Sequence, residues 1–326
     1  MLRLRLAGAL VLLGLAAAAA PPLPLRLIRD VPLPGRTTRF DYESYDPVRH
    51  LLFISHLGDS EVLVFNTQTG KLQGVVRGVS RVHGVLAVPS LGRAYASATG
   101  TNQIVSINER TLQITARIPG GVYPDGMAFD PRDRLLFVSD EAGRTDTVID
   151  VARQQRVATI QLGGQAGNTQ YDPVTGLMVV DVQTLNRLVA IAPATRRIVA
   201  SYRLPGCQHD HGLYLDAPAR LAFVACDGNA RLLTFDLRQH RVLAVHRLGD
   251  YPDVLAFDAG LRRLYVAAES GVVTVFALRA GALALLGRAH LAYEAHSVAV
   301  DSHHRVYFPL QNLAGHPVLR IMRPAP

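Results

Sequence analysis

The stretch DGMAFDPRDRLLFVS, residues 125–139, decides the fold. A short apolar segment runs into Asp130-Pro131-Arg132-Asp133, which is turn chemistry, and a second apolar segment follows. The phrase returns at residues 40–55, 83–97, 167–180, 211–225, 253–267 and 296–308, making seven copies. With Asp46, Val88, Asp130, Asp172, Asp216, Asp258 and Asp301 taken as equivalent, the steps are 42, 42, 42, 44, 42 and 43 residues. A near-constant period in this range marks a repeat architecture.

Each unit resolves into four segments of strand character, in the third copy residues 126–129, 135–139, 146–151 and 156–162. They are rich in Val, Ile, Leu and Phe and lack the i, i+3, i+4 spacing of helical solenoids. The expected fold is therefore all-β: a seven-bladed β-propeller with four-stranded antiparallel blades. The seventh copy supplies only three segments, the last at residues 318–322, while residues 25–33 read like the fourth segment of other copies. An N-terminal strand completing the last blade would close the ring and cover an open edge.

Residues 1–20 stand outside the repeat. Arg3 and Arg5, the apolar run 6–15 and Ala18-Ala19-Ala20 form the basic, apolar and cleavage regions of a secretory signal. The apolar run falls short of the roughly 20 residues that span a bilayer, and no later stretch could span one. The expected organisation is a signal peptide at 1–20 and one propeller domain at 21–326, periplasmic or secreted, monomeric and without a membrane span. Formal net charge is +8, and +8 − 2 = +6 without Arg3 and Arg5. Only Lys71 is lysine, and the arginines are scattered, which suits charged blade edges better than a nucleic-acid track.

Five residues before each repeat marker lie Asp41, His83, Asp125, Gly167, His211, Asp253 and His296. In a propeller these open the innermost strands and converge on one mouth of the central channel. Imidazoles and carboxylates are ligands for divalent transition metals, so His211, Asp253, His296, Asp41, His83 and Asp125 are candidate ligands for one such ion. The same residue types could instead satisfy the first backbone N–H groups of the strands or act as struts between blades. Gly167-Asn168 interrupts the pattern in the fourth blade. Strand ends and loops on the same side add His56, Asp59, Asn102, Glu141, Asn186, Asp227, Asn229 and Glu269. Two positions before the ring stand Arg39, Arg81, Tyr123, Gln165, His209, Tyr251 and Glu294. His240, His246 and His290 are expected on the surface, and His303-His304 in a solvated turn on the opposite face.

Cys207 and Cys226 flank the first two strands of the fifth blade and point to one face, which in an exported protein suggests a disulfide. A thiolate site for a soft metal with His209 and His211 is the alternative.

Val82-His83-Gly84-Val85, Tyr123-Pro124-Asp125-Gly126, Asp146-Thr147-Val148-Ile149-Asp150 and Arg156-Val157-Ala158-Thr159-Ile160 resemble the YncE-like, YVTN-type family of exported seven-bladed propellers. The resemblance covers essentially the whole chain after residue 20. The literal Tyr-Val-Thr-Asn phrase is replaced by Phe137-Val138-Ser139-Asp140 and Tyr265-Val266-Ala267-Ala268, and the absence of tryptophan removes any Trp-Asp signature. The family implies a similar cysteine pair at these blade positions, and it includes a DNA-binding member and relatives associated with metal or quinone enzymes.

No phosphate loop, dinucleotide fingerprint or nucleophile elbow occurs. The leading expectation is an exported binding propeller whose mouth takes a small ligand, a metal ion or a partner protein of the periplasm. A metal-dependent hydrolase or lyase using the same ring, with His211, Asp253 and His296 foremost, is the alternative. Nucleic-acid binding is a further alternative that lacks a basic, aromatic-lined groove.

Overall fold

Asp46, the repeat marker, accepts the backbone N–H groups of Val48 and Arg49 at 2.6 and 3.1 Å, closing an Asx turn between two strands. Asp130, Asp172, Asp258 and Asp301 accept in the same way from Arg132, Val174, Leu261 and His303. In the second blade Pro89 begins a short 3-10 turn after Val88 instead. The conserved spacing of the phrase is thus the spacing of one turn chemistry.

The computed structural model describes residues 21–325. These form seven four-stranded antiparallel sheets, the first six blades running from an inner to an outer strand in chain order. The third blade, for example, comprises Pro124–Asp130, Leu135–Asp140, Thr145–Asp150 and Gln155–Gln161. Helical structure among the described residues is limited to five 3-10 turns. The last blade is Ala299–Val300, Val306–Leu313, His316–Pro324 and, outermost, Leu25–Pro32, so the N-terminal strand closes the ring as expected. The signal segment expected at 1–20 lies outside the described residues.

The second strands are buried on both faces, as in Leu51–His56 and Leu221–Cys226, because each blade is covered by a neighbour on either side. Phe53, Val62 and Val64 of the first blade pack on Ala94, Ala96 and Val105 of the second. The fourth strands alternate exposed and half-buried residues, as in Arg241–Arg247. At the turn face, Asp172, Asp216 and Asp258 are joined to Arg220, Arg262 and His304 of the following blades at 2.8, 3.0 and 2.8 Å. His304 is therefore an inter-blade strut, with its side chain still 42% exposed. His246 departs from expectation: it is half-buried against Phe276, at a ring-centroid distance of 5.2 Å.

Candidate functional site

The chain reaches the channel mouth through a left-handed residue. Arg81, Tyr123, His209, Tyr251 and Glu294, two positions before the ring, all have φ between 46° and 62°. Their cost is offset by hydrogen bonds from the preceding blade: Ser60 Oγ accepts from Arg81 N, Asn102 Oδ1 from Tyr123 N and Asn186 Oδ1 from His209 N, at 3.0, 3.0 and 2.6 Å. The inner strand then bulges, with the pairing register slipping between Val82 and Val85, Pro124 and Met127, Asp210 and Gly212, and Pro252 and Leu255. A bulge frees its extra residue from the sheet alternation and re-aims the side chain. His83, Asp125, His211 and Asp253 are such residues. Glycine follows two of the histidines because adjacent inner strands nearly touch there. A Cβ on Gly84 would lie 2.1 Å from the Asp125 carbonyl oxygen, and one on Gly212 2.0 Å from that of Asp253.

The mouth is a cavity of about 340 Å³ lined by Asp41, His83, Asp125, His211 and Asp253 of the ring, with Arg39, Arg81, Tyr123, His209 and Tyr251 before it. Glu141, Asp227 and Glu269 enter from the loops after second strands. Asp41 and Asp253 also group with His296, which is buried and not among the residues lining the cavity, one donor atom of each lying within 4.8 Å of the others. The His296 Nδ1–H donates to the Glu294 carbonyl at 3.0 Å, so Nε2 carries the lone pair. That Nε2 has no hydrogen-bond partner and lies 3.9 Å from Asp253 Oδ2. Asp41 Oδ2 and Asp253 Oδ1 are also buried without hydrogen bonds, although Arg39 Nε stands 3.5 Å from the former.

His211 lies beside this group, its Nε2 3.2 Å from Asp253 Oδ1 but outside hydrogen-bond geometry, and 3.5 Å from Tyr42 Oη. Burial disfavours charge on both partners of this pair. The mutual attraction outweighs it: His211 is held protonated well above its ordinary range, and Asp253 is lowered to about 2, chiefly by His211 and further by Arg39. Burial, then the proximity of Asp41, raises Asp125 well above the carboxylate range.

His83 is differently placed. Its Nδ1 donates to the Arg81 carbonyl at 2.9 Å, and its Nε2 accepts from the Tyr123 hydroxyl at 3.0 Å, so both nitrogens are engaged. The gap at Gly167 is filled by its neighbours: a Cβ there would meet Asp181 Cβ and the His211 carbonyl oxygen, each at 3.0 Å. His209 caps the rim through Asp227, with Nδ1 2.7 Å from Oδ1. Cys207 and Cys226 form a disulfide with Cα atoms 5.4 Å apart.

Tyr42 was not marked by its residue type, yet it forms the floor of the cavity. It follows Asp41 at the position where other blades carry Gly84, Gly126 or Gly212, and that substitution of bulk for glycine is its sequence signal. Asn168 Nδ2 donates to Tyr42 Oη at 2.9 Å and to the His211 carbonyl at 3.0 Å. Beneath this bridge a second cavity of about 260 Å³ continues the channel, bordered by Tyr42, Glu43 and Asn168. The mouth is therefore a cup with a floor rather than an open pore.

No protein-family model matches the chain. No curated protein matches it in sequence either. Solved structures do match in shape. Hydrazine synthase of Kuenenia stuttgartiensis aligns at TM-score 0.74 and 15% identity, over 86% of this chain and 94% of that one. U3-55K aligns at 0.76 and 13%, over 93% and 99%, and the WD40 repeats of RRP9 at 0.75 and 13%, over 94% and 99%. At these identities the likeness shows a shared propeller fold, which hosts many activities.

Proposed function

We propose that the protein is an exported propeller of the YncE-like type whose channel mouth binds one divalent transition metal through Asp41, Asp253 and His296. The observation carrying this reading is the buried His296 Nε2, which has no hydrogen-bond partner and stands beside two carboxylates while Nδ1–H is fixed on a backbone carbonyl. Fixing one imidazole nitrogen in this way is how proteins orient a metal-binding histidine. Export is supported by the signal-like residues 1–20 and by the Cys207–Cys226 disulfide. Among the described residues no helix is long and apolar enough to cross a membrane. Six carboxyl side chains against two arginines line the mouth, which disfavours a nucleic-acid backbone there.

A hydrolase or lyase using the same ion is the second reading. It is favoured by the protonated His211 beside Asp253, a proton donor within the same cup. Zinc titration of protein stripped with chelator tests the metal reading: one equivalent should bind at the mouth, and His296→Ala should weaken it by about tenfold or more. Unchanged affinity in that variant overturns it. Mass measurement of the exported chain should show a start at residue 21.

A further inference from the structure

His56 ends the strand Leu51–His56 and pairs in register with Glu61 across the 3-10 turn Leu57–Asp59. Its side chain is fully buried and stacks on Phe40 at a centroid distance of 4.2 Å. The Thr38 hydroxyl donates to Asp59 Oδ1 at 2.9 Å. Its single proton being spent, the same oxygen must accept at its 3.0 Å contact with His56 Nε2. Nε2 therefore carries the imidazole proton and Nδ1 is a bare lone pair.

That Nδ1 has no hydrogen-bond partner. It faces Glu61 Oε1 at 3.7 Å and Asp59 Oδ2 at 4.0 Å. Three acceptor atoms thus converge, of which only Asp59 Oδ2 has a donor, the Arg36 backbone N–H at 2.8 Å, and a cation among them would relieve their repulsion. Ligand atoms around a tetrahedral ion with bonds of about 2.0–2.2 Å stand about 3.4 Å apart, and Nδ1, at 3.7 and 4.0 Å from the two oxygens, would draw in slightly to reach that spacing. Gly35, at φ +98°, leaves the approach open: a Cβ there would lie 2.7 Å from Asp59 Oδ2 and 3.0 Å from His56 Nδ1. Neighbouring cations orient the carboxylates from outside. Arg36 binds Asp59 through Nε and through its backbone N–H, at 2.9 and 2.8 Å, and Arg77 Nε lies 3.6 Å from Glu61 Oε2.

We propose that His56 Nδ1, Asp59 Oδ2 and Glu61 Oε1 form a second divalent transition-metal site, of the class that takes zinc or manganese, on the rim of the first blade. None of the three lines the mouth cavity. The ion would fasten residues 35–38, the strap leading from the closing strand to the first inner strand, onto the hairpin of the first blade. The site does not depend on the mouth reading.

The test is zinc titration of the full chain, after removal of bound metal with chelator, in wild type, His296→Ala, Glu61→Gln and their combination. Two equivalents are expected in wild type, one in each single variant and none in the combination, with circular dichroism showing retained strand structure. Glu61→Gln preserves shape and removes the charged ligand, so the readout does not require a disruptive change. One equivalent lost on Glu61→Gln but none on His296→Ala would leave this site standing and remove the mouth site. Zinc binding to His296→Ala weaker than a Kd of about 1 mM, or unaffected by Glu61→Gln, overturns the rim site.

Discussion

Tyr42 and Asn168 stand on the first and fourth blades, 126 residues apart, and their side chains meet across the channel at 2.9 Å. The bond separates the mouth cavity from the one below and ties together blades that share no sheet. Tyr42→Phe keeps the ring and deletes the acceptor, so it should cost about 1 kcal/mol of stability. In a double-mutant cycle with Asn168→Ala, the coupling read from urea midpoints should be about 0.5–1.5 kcal/mol. Zero coupling would show that the bridge is absent in solution.

Ring closure rests on the strand Leu25–Pro32, whose Asp30 forms a two-point ion pair with Arg320 at 2.8 and 2.7 Å. Deleting residues 21–34 removes a whole strand of the last blade and exposes the edge of His316–Pro324. The melting temperature should fall by at least about 5 °C, because many backbone bonds and the packing of Leu25 are lost together. Asp30→Ala alone should cost no more than about 1 kcal/mol, since the pair is partly exposed. An unchanged melting temperature in the deletion would refute closure by this strand.

The Cys207–Cys226 disulfide closes a loop of 19 residues. In the chain-entropy model such a crosslink contributes about 3 kcal/mol, so reduction should lower the melting temperature by several degrees. Both cysteines are buried, so alkylation is done on the protein denatured without reductant, where it should label neither. Labelled thiols would restore the soft-metal reading of this pair.

The period of the phrase made the blades legible, because each marker aspartate is one half of an Asx turn and each second strand is predominantly apolar. It also placed Asp41, Asp253 and His296 at one mouth. What it could not give is which lone pairs remain free. His83 and His296 are equivalent in the repeat, and both donate Nδ1–H to a carbonyl two residues back. Only Tyr123, itself placed by the left-handed turn before the third inner strand, consumes the second nitrogen of His83. Likewise, the bulges that turn ring residues into the channel come from register slips between strands, which residue type alone does not reveal. The convergence of His56, Asp59 and Glu61 depends on the strap at Gly35 and Thr38, a segment outside the repeated phrase.

Glu109 offers a pH test remote from the mouth. Its buried carboxylate oxygens have no hydrogen-bond partner, and Arg49 Nη1 lies 3.1 Å from Oε2 while also standing 3.2 Å from Asp46 Oδ2. Burial and the charge of Asp46 raise Glu109 to about 7, against the partial opposition of Arg49. In the unfolded chain the group titrates near about 4.3. Below that pH both states hold the proton, and stability is unaffected. Between there and about 7 the folded state keeps a proton that the unfolded state has released, so stability falls as pH rises. Above about 7 the loss is complete. Glu109→Gln removes this dependence. The variant should melt at least about 2 °C above wild type at pH 8, with the advantage shrinking toward pH 5. An advantage independent of pH would mean that packing, rather than the proton, governs this residue.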